Sequence, residues 1–167
     1  MAAKSGQKAN PAKARPFYSQ SPSTNLEAGR TPLNLLLIED NLPDALMVIE
    51  AIKKEGLPVD VYLAEDGERA MVFMETAKAD PSAPVPQGLL LDLNIPKIDG
   101  LEILGSLRTD PRFKDIPVLV VTSSDSPADL AQLAKLSAGY FRKPTTYWEF
   151  MKIGAYLKAF LEQHHLL

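Results

Sequence analysis

The chain has 167 residues, 46% hydrophobic and 23% charged, which suits one globular domain with a full core and some additional chain. It contains no cysteine, so a disulfide framework, a thiolate metal site and a cysteine nucleophile are excluded, and a reducing cytoplasm is the expected setting. No apolar run approaches the roughly 18 residues needed to span a bilayer, and the amino terminus has no segment of signal-peptide type, so a soluble protein with no membrane partner is expected.

Residues 1–31 hold Lys4, Lys8, Lys13, Arg15 and Arg30 against Glu27 alone, a surplus of four positive charges. The formal net charge of −3 then leaves seven negative charges on the remaining 136 residues, which argues against a nucleic-acid surface on the folded part. The first 31 residues are rich in Ala, Lys, Ser, Pro and Gly and bury little, so they read as a disordered basic tail, with the folded domain over 32–167.

From Asn34 onward, short apolar runs alternate with helical patterns. Leu35 to Ile38, Val59 to Leu63, Gly88 to Asp92, Pro117 to Val121 and Gly139 to Phe141 read as five strands. Helical stretches follow them in turn: Pro43 to Glu55, Gly67 to Lys78, Gly100 to Arg108, Pro127 to Leu136 and a long final helix from Tyr147 to Gln163. Asp66 is a plausible cap for the second, and Thr146 with Glu149 forms a capping box for the last. Strands alternating with helices predict βαβ units and a parallel sheet covered on both faces, and the near-continuous apolar strands agree with that burial.

Ligands in such a sheet collect where the strands end at their carboxyl edge. The residues there form a pattern. Glu39 and Asp40 follow the first strand, Asp92 ends the third, Thr122, Ser123 and Ser124 follow the fourth, and Arg142, Lys143 and Pro144 follow the fifth. An acid at one strand end is often a turn or a cap, and a Lys-Pro pair is often a loop. Three acids, a hydroxyl and a lysine at successive strand ends are far less expected by chance. Carboxylates packed together repel unless a cation neutralises them or one is protonated, and a hard, oxygen-preferring ion such as Mg²⁺ fits. A metal beside a carboxylate and a lysine suits phosphoryl transfer.

In IEDN, LLLDLNIPKIDG, VVTSSD and GYFRKP, taken in order from residue 34 to about 163, the chain resembles the receiver domain of two-component response regulators. The resemblance implies a flavodoxin-like α/β fold, a doubly wound five-stranded parallel sheet of order 2-1-3-4-5. It implies a phosphorelay protein, not a turnover enzyme, that takes a phosphoryl group from a sensor histidine kinase onto Asp92. Glu39, Asp40, Asp92 and the Asn94 carbonyl would hold Mg²⁺ or Mn²⁺. Lys143 and Thr122 would bind phosphoryl oxygens, Tyr140 would fill the space that Thr122 vacates, and Asn94 and Ser124 would tune hydrolysis. More narrowly, TSSD, a lysine followed by Pro-Thr and the long final helix look like single-domain regulators paired with phytochrome photoreceptor kinases.

Two segments depart from the family pattern. Ala77 to Gln87 is longer than in many receivers and reads as an irregular surface loop, and the stretch from Thr122 to Lys143 is about one residue short. The chain ends soon after its final helix, so output through protein contact is expected. Phe150, Ile153, Leu157, Phe160 and Leu161 make an ordinary core stripe on that helix. Trp148, Met151, Ala155 and Ala159, with Leu166 and Leu167 beyond, make a second apolar stripe, read as part of a homodimer face built from the fourth and fifth helices and the strand between them. His164 and His165 are expected to be solvated.

Two other readings compete. In one, the acid cluster is inert and the chain is a phosphorylation-independent interaction module. In the other it is an aspartyl-phosphate phosphatase of the haloacid dehalogenase type, which the Asp92-Leu93-Asn94 sequence disfavours because the expected second acid is missing. A flavodoxin is weaker still, since no hydroxyl- and Gly-rich loop follows the first strand.

Overall fold

The computed structural model describes residues 18–20 and 31–167. A sheet of six strands forms among them: β1 (Tyr18–Gln20), β2 (Leu33–Ile38), β3 (Val59–Ala64), β4 (Gly88–Leu91), β5 (Val118–Thr122) and β6 (Gly139–Arg142), in the order β1-β3-β2-β4-β5-β6. The last five are parallel, in the expected 2-1-3-4-5 arrangement. Helices α1 (Leu42–Glu55), α2 (Gly67–Ala79), α3 (Gly100–Thr109), α4 (Pro127–Lys135), α5 (Tyr147–Phe150) and α6 (Ile153–Gln163) cover its faces.

The strands carry apolar side chains on both sides because both sides are covered. Leu35, Leu37, Val59, Val61 and Leu119 face one core with α1 and α6, while Leu36, Ile38, Leu89, Leu91 and Val120 face a second with α2, α3 and Leu133 of α4. Burying one such side chain is worth about 1.5–3 kcal/mol, so the two cores fix the register. That register sets the site. Ile38 pairs with Leu91, Leu91 with Val120, and Thr122 with Arg142, so Glu39, Asp92, Thr122 and Lys143 emerge side by side at one edge.

The caps read from the sequence are present. Asp66 accepts the Arg69 amide at 2.8 Å, and Thr146 accepts the Glu149 amide at 3.4 Å while donating its hydroxyl to the Glu149 carboxylate at 2.7 Å. The long loop before β4 lies at the opposite sheet edge from the acids. Asn34 fastens it by donating to the Val85 carbonyl and to the Gln87 side chain, both at 3.1 Å.

Three expectations need correction. The tail expected to be disordered contributes β1, which pairs antiparallel with β3 as Tyr18↔Leu63, Ser19↔Tyr62 and Gln20↔Val61. Without it the backbone groups of β3 would be left as an unpaired sheet edge. Residues 1–17 and 21–30, where the rest of that expectation falls, lie outside the described residues.

Secondly, the final helix is interrupted. At Lys152 and Gly154 the amide bonds shorten to the i−3 pattern, with Lys152 donating to Glu149 and Gly154 to Met151. The interruption lies beside a close approach to α1: a Cβ on Gly154 would stand 2.6 Å from the Ala51 carbonyl oxygen. The shift in phase turns both Phe150 and Met151 into the core. Met151 is therefore not part of an outer stripe, although Trp148, Ala155 and Ala159 are exposed.

Thirdly, Leu166 and Leu167 pack against the core that α1 and α6 share, not along the outer side of the helix. His165 takes a positive φ of 57° and the Leu166 amide returns to the Leu161 carbonyl, so the chain reverses there.

Candidate functional site

The carboxyl edge of the sheet collects charge. Lys143 follows β6, its amide held by the Thr122 carbonyl at 2.9 Å, and its side chain reaches inward to become almost wholly buried. Its ammonium donates to Glu39 at 2.6 Å, Asp92 at 2.7 Å and Asp44 at 2.9 Å. Three donors thus meet three carboxylates. Glu39 follows β2, with its amide on the Ala64 carbonyl, and Asp92 follows β4, with its amide on the Ile38 carbonyl. The second oxygen of Glu39 accepts the Asn41 amide at 3.0 Å, and that of Asp92 accepts the Asn94 amide at 3.1 Å.

Close packing behind Asp92 fixes its backbone. Gly100 opens α3 against it, and a Cβ there would lie 2.6 Å from both the Asp92 carbonyl oxygen and the Leu93 Cα. Only glycine fits that approach. Asp99 caps the helix through the Leu101 amide at 2.8 Å.

Burial pushes the Glu39 carboxyl above its ordinary range, with only partial relief from Lys143 and the Asn41 amide. Burial alone would lower Lys143, but its bonds to Asp44, Asp92 and Glu39 hold the ammonium above the ordinary lysine value. The lysine is a fixed positive charge at this edge.

Carboxylate oxygens of Glu39, Asp40 and Asp92 lie within 4.8 Å of one another, with Glu39 and Asp92 buried and Asp40 exposed. With Asp44 there are four carboxylates against one ammonium, and the donors are hard oxygens. The clustered oxygens of Glu39, Asp40 and Asp92 fit a divalent cation of the Mg²⁺ or Mn²⁺ class, with Asp40 giving access from solvent. The same edge offers an oxygen nucleophile beside a lysine and a hydroxyl, the components of phosphoryl transfer.

Thr122 is fully buried, and its hydroxyl oxygen accepts from the Asn94 side chain at 3.4 Å and the Ser124 amide at 3.3 Å. The Tyr140 hydroxyl donates to the Ser124 carbonyl at 2.8 Å, tying β6 to the loop before α4. The Ser124 hydroxyl is engaged with Asp129 at 2.6 Å, in the first turn of α4. Glu39, Asp40, Asp92, Asn94, Thr122 and Lys143 are therefore brought together, and Tyr140 and Ser124 adjoin them through the loop.

Asp44 was not among the residues picked out from the sequence. In sequence it is simply an acid in the first turn of α1, its amide capped by Asn41 at 3.2 Å, which the helix dipole explains by itself. Only the fold shows that its carboxylate meets Lys143.

Comparison with known proteins agrees with this geometry. The model of the response regulator receiver domain matches residues 35–153. Response regulator Rcp1 of Synechocystis sp. is 32% identical over 130 residues, covering 77% of this chain and 88% of that protein. The probable methanogenesis regulatory protein FilR2 of Methanothrix harundinacea is 28% identical over 130 residues, covering 77% and 83%. Among solved structures, the phosphorylated cyanobacterial phytochrome response regulator RcpA matches with a TM-score of 0.71 at 31% identity, covering 77% of this chain and 93% of that one. The Mn²⁺-bound form of Rcp1 matches with a TM-score of 0.71 at 32% identity, covering 77% and 94%.

Proposed function

The chain belongs to the response regulator receiver family, phospho-accepting signalling proteins that bind a divalent metal, and we propose that Asp92 is its phosphoacceptor. The carrying observation is the contact of the buried Lys143 ammonium with the Asp92 carboxylate at 2.7 Å, beside the Glu39 and Asp40 carboxylates.

In this reading an Asp92 oxygen attacks the phosphorus of a kinase phosphohistidine. The P–O bond to Asp92 forms as the P–N bond breaks, and the imidazole leaves as a neutral ring on taking up a proton. Lys143 then exchanges carboxylate contacts for a phosphoryl oxygen, acting as a point charge. The Thr122 hydroxyl turns toward another oxygen, and Tyr140 occupies the space it leaves. Since Tyr140 bonds the Ser124 carbonyl, that movement is passed to α4. Glu39, Asp40, Asp92 and the Asn94 carbonyl would hold Mg²⁺, which when bound supplies neutralising charge for the phosphoryl oxygens. Asn94 and Ser124 flank the centre and set how readily water reaches it. The protein catalyses its own phosphorylation and dephosphorylation only.

The relatives point to a phytochrome-type histidine kinase as the donor. Among the described residues no helix is long and apolar enough to cross a membrane, in keeping with a cytoplasmic partner. The output proposed is a homodimer through α4, β6 and the α5–α6 unit. Leu130, Trp148 and Tyr156 are exposed around it, and Tyr156 bonds the Tyr140 carbonyl at 3.0 Å, so this face also adjoins the switch tyrosine.

Intact mass after incubation with acetyl phosphate tests the reading. A gain of one phosphoryl group that needs Mg²⁺ and is absent in Asp92→Asn is expected. No gain by the folded wild type would favour the inert interaction module.

A further inference from the structure

The buried ammonium of Lys143 has three donors and three carboxylate partners. Two of them, Glu39 and Asp92, belong to the group of oxygens that fits a divalent cation, and each also accepts an amide, from Asn41 and Asn94 respectively. A cation drawing on Glu39 and Asp92 would share these carboxylates with the positive charge of Lys143, and the two charges repel. Asp44 stands outside that group. It comes from α1, a different element, and its carboxylate is partly open to water while the lysine it holds is not.

We propose that Asp44 is a positioning residue that would keep Lys143 in the site when Glu39 and Asp92 turn their charge to a divalent cation. This rests on the metal reading above. A buried ammonium stripped of every anion would oppose cation binding outright, because a charge left unpaired in a poorly solvated place is costly. With Asp44 in place, the lysine gives up two contacts and keeps one. It then stays within reach of the phosphoryl group that arrives at Asp92. Asp44 touches neither metal nor phosphoryl group in this scheme and acts through the lysine.

The test is a double-mutant cycle read by calorimetric titration of the full chain with Mn²⁺. In the presence of Lys143, Asp44→Asn is expected to weaken Mn²⁺ binding by about tenfold, a coupling of ordinary size for contacting residues. In a Lys143→Met background the same substitution should cost several-fold less, since only the loss of a nearby negative charge remains. Equal losses in the two backgrounds, or no loss in either, would overturn the role assigned to Asp44. Failure of the wild type to bind Mn²⁺ would instead overturn the metal reading on which it rests. Melting followed by circular dichroism checks that each variant is folded, and Lys143→Gln replaces the methionine variant if that one is not.

Discussion

Lys143 and Asp92 stand 51 residues apart in the chain, yet the ammonium of one lies 2.7 Å from the carboxylate of the other, with almost no solvent at either side chain. The meeting follows from the register that aligns β4, β5 and β6. Removing the lysine as Lys143→Met takes away the ammonium that meets Glu39, Asp44 and Asp92, and phosphorylation from acetyl phosphate should slow by about 10²-fold, as for loss of one transition-state donor. Single-turnover mass spectrometry measures it, and an unchanged rate would show that the lysine is not used.

Gly100 and Gly105 both lie in α3 but meet different surroundings. A Cβ at Gly100 would collide with the backbone of Asp92 and Leu93, whereas one at Gly105 meets nothing within 4 Å. Gly100→Ala should cost about 1–3 kcal/mol by overpacking and impair phosphorylation as well. Gly105→Ala should stabilise by up to about 1 kcal/mol through helix propensity. Urea denaturation of the two variants checks the opposite signs.

Ser137 adopts a positive φ of 52° just after α4, where the Ala138 amide returns to the Leu133 carbonyl. Arg108 secures the turn from α3, donating to the Leu136 carbonyl at 2.7 Å and to Ser137 at 3.2 Å. Glycine adopts this conformation without strain, so Ser137→Gly should raise stability by about 0.5–1 kcal/mol. A lower midpoint in the same denaturation would contradict it.

Asp66 caps α2 and accepts Lys97 at 2.8 Å, joining the loop after Asp92 to the start of that helix. Burial alone would raise its carboxyl, but the hydrogen bonds from Lys97 and the Arg69 amide outweigh this and hold it below the ordinary range. A carboxyl lowered on folding adds stability above its unfolded value and loses it as pH falls through the folded one. Asp66→Asn keeps the cap and loses the charge, so it should be less stable at neutral pH by at most about 1 kcal/mol, since Lys97 is half exposed. The difference should close in acid below the ordinary aspartate range, which melting curves across pH would reveal.

Trp148 of α5 is 75% exposed, with Tyr147 at 5.2 Å between ring centroids, and β6 is the last strand of the sheet among the described residues. If this face pairs with a second copy, sedimentation should give a mass that rises with concentration, and Trp148→Glu should shift it to the monomer. A monomer at every concentration in the wild type would contradict the dimer.

The residues legible in the sequence were those whose position follows from a strand end. Glu39, Asp40, Asp92, Thr122 and Lys143 could be placed together because a parallel sheet delivers its strand ends to one edge. Asp44 could not, because an acid in a helix's first turn has an ordinary local explanation and its lysine is 99 residues away. Met151 was misplaced because periodicity assumes an unbroken helix, whereas the chain shortens to i−3 bonds between α5 and α6. β1 was missed because Tyr-Ser-Gln has no apolar alternation, and its pairing depends on the bare edge of β3.

The most direct test of the central claim is to find the phosphorylated residue itself. An acyl phosphate on aspartate is reduced by borohydride to homoserine, so protein treated with acetyl phosphate and Mg²⁺, reduced and digested, can be sequenced by mass spectrometry. Homoserine at position 92, absent without the phosphodonor, is the expected result. Homoserine at Asp40 or Asp44 with none at position 92 would contradict the assignment.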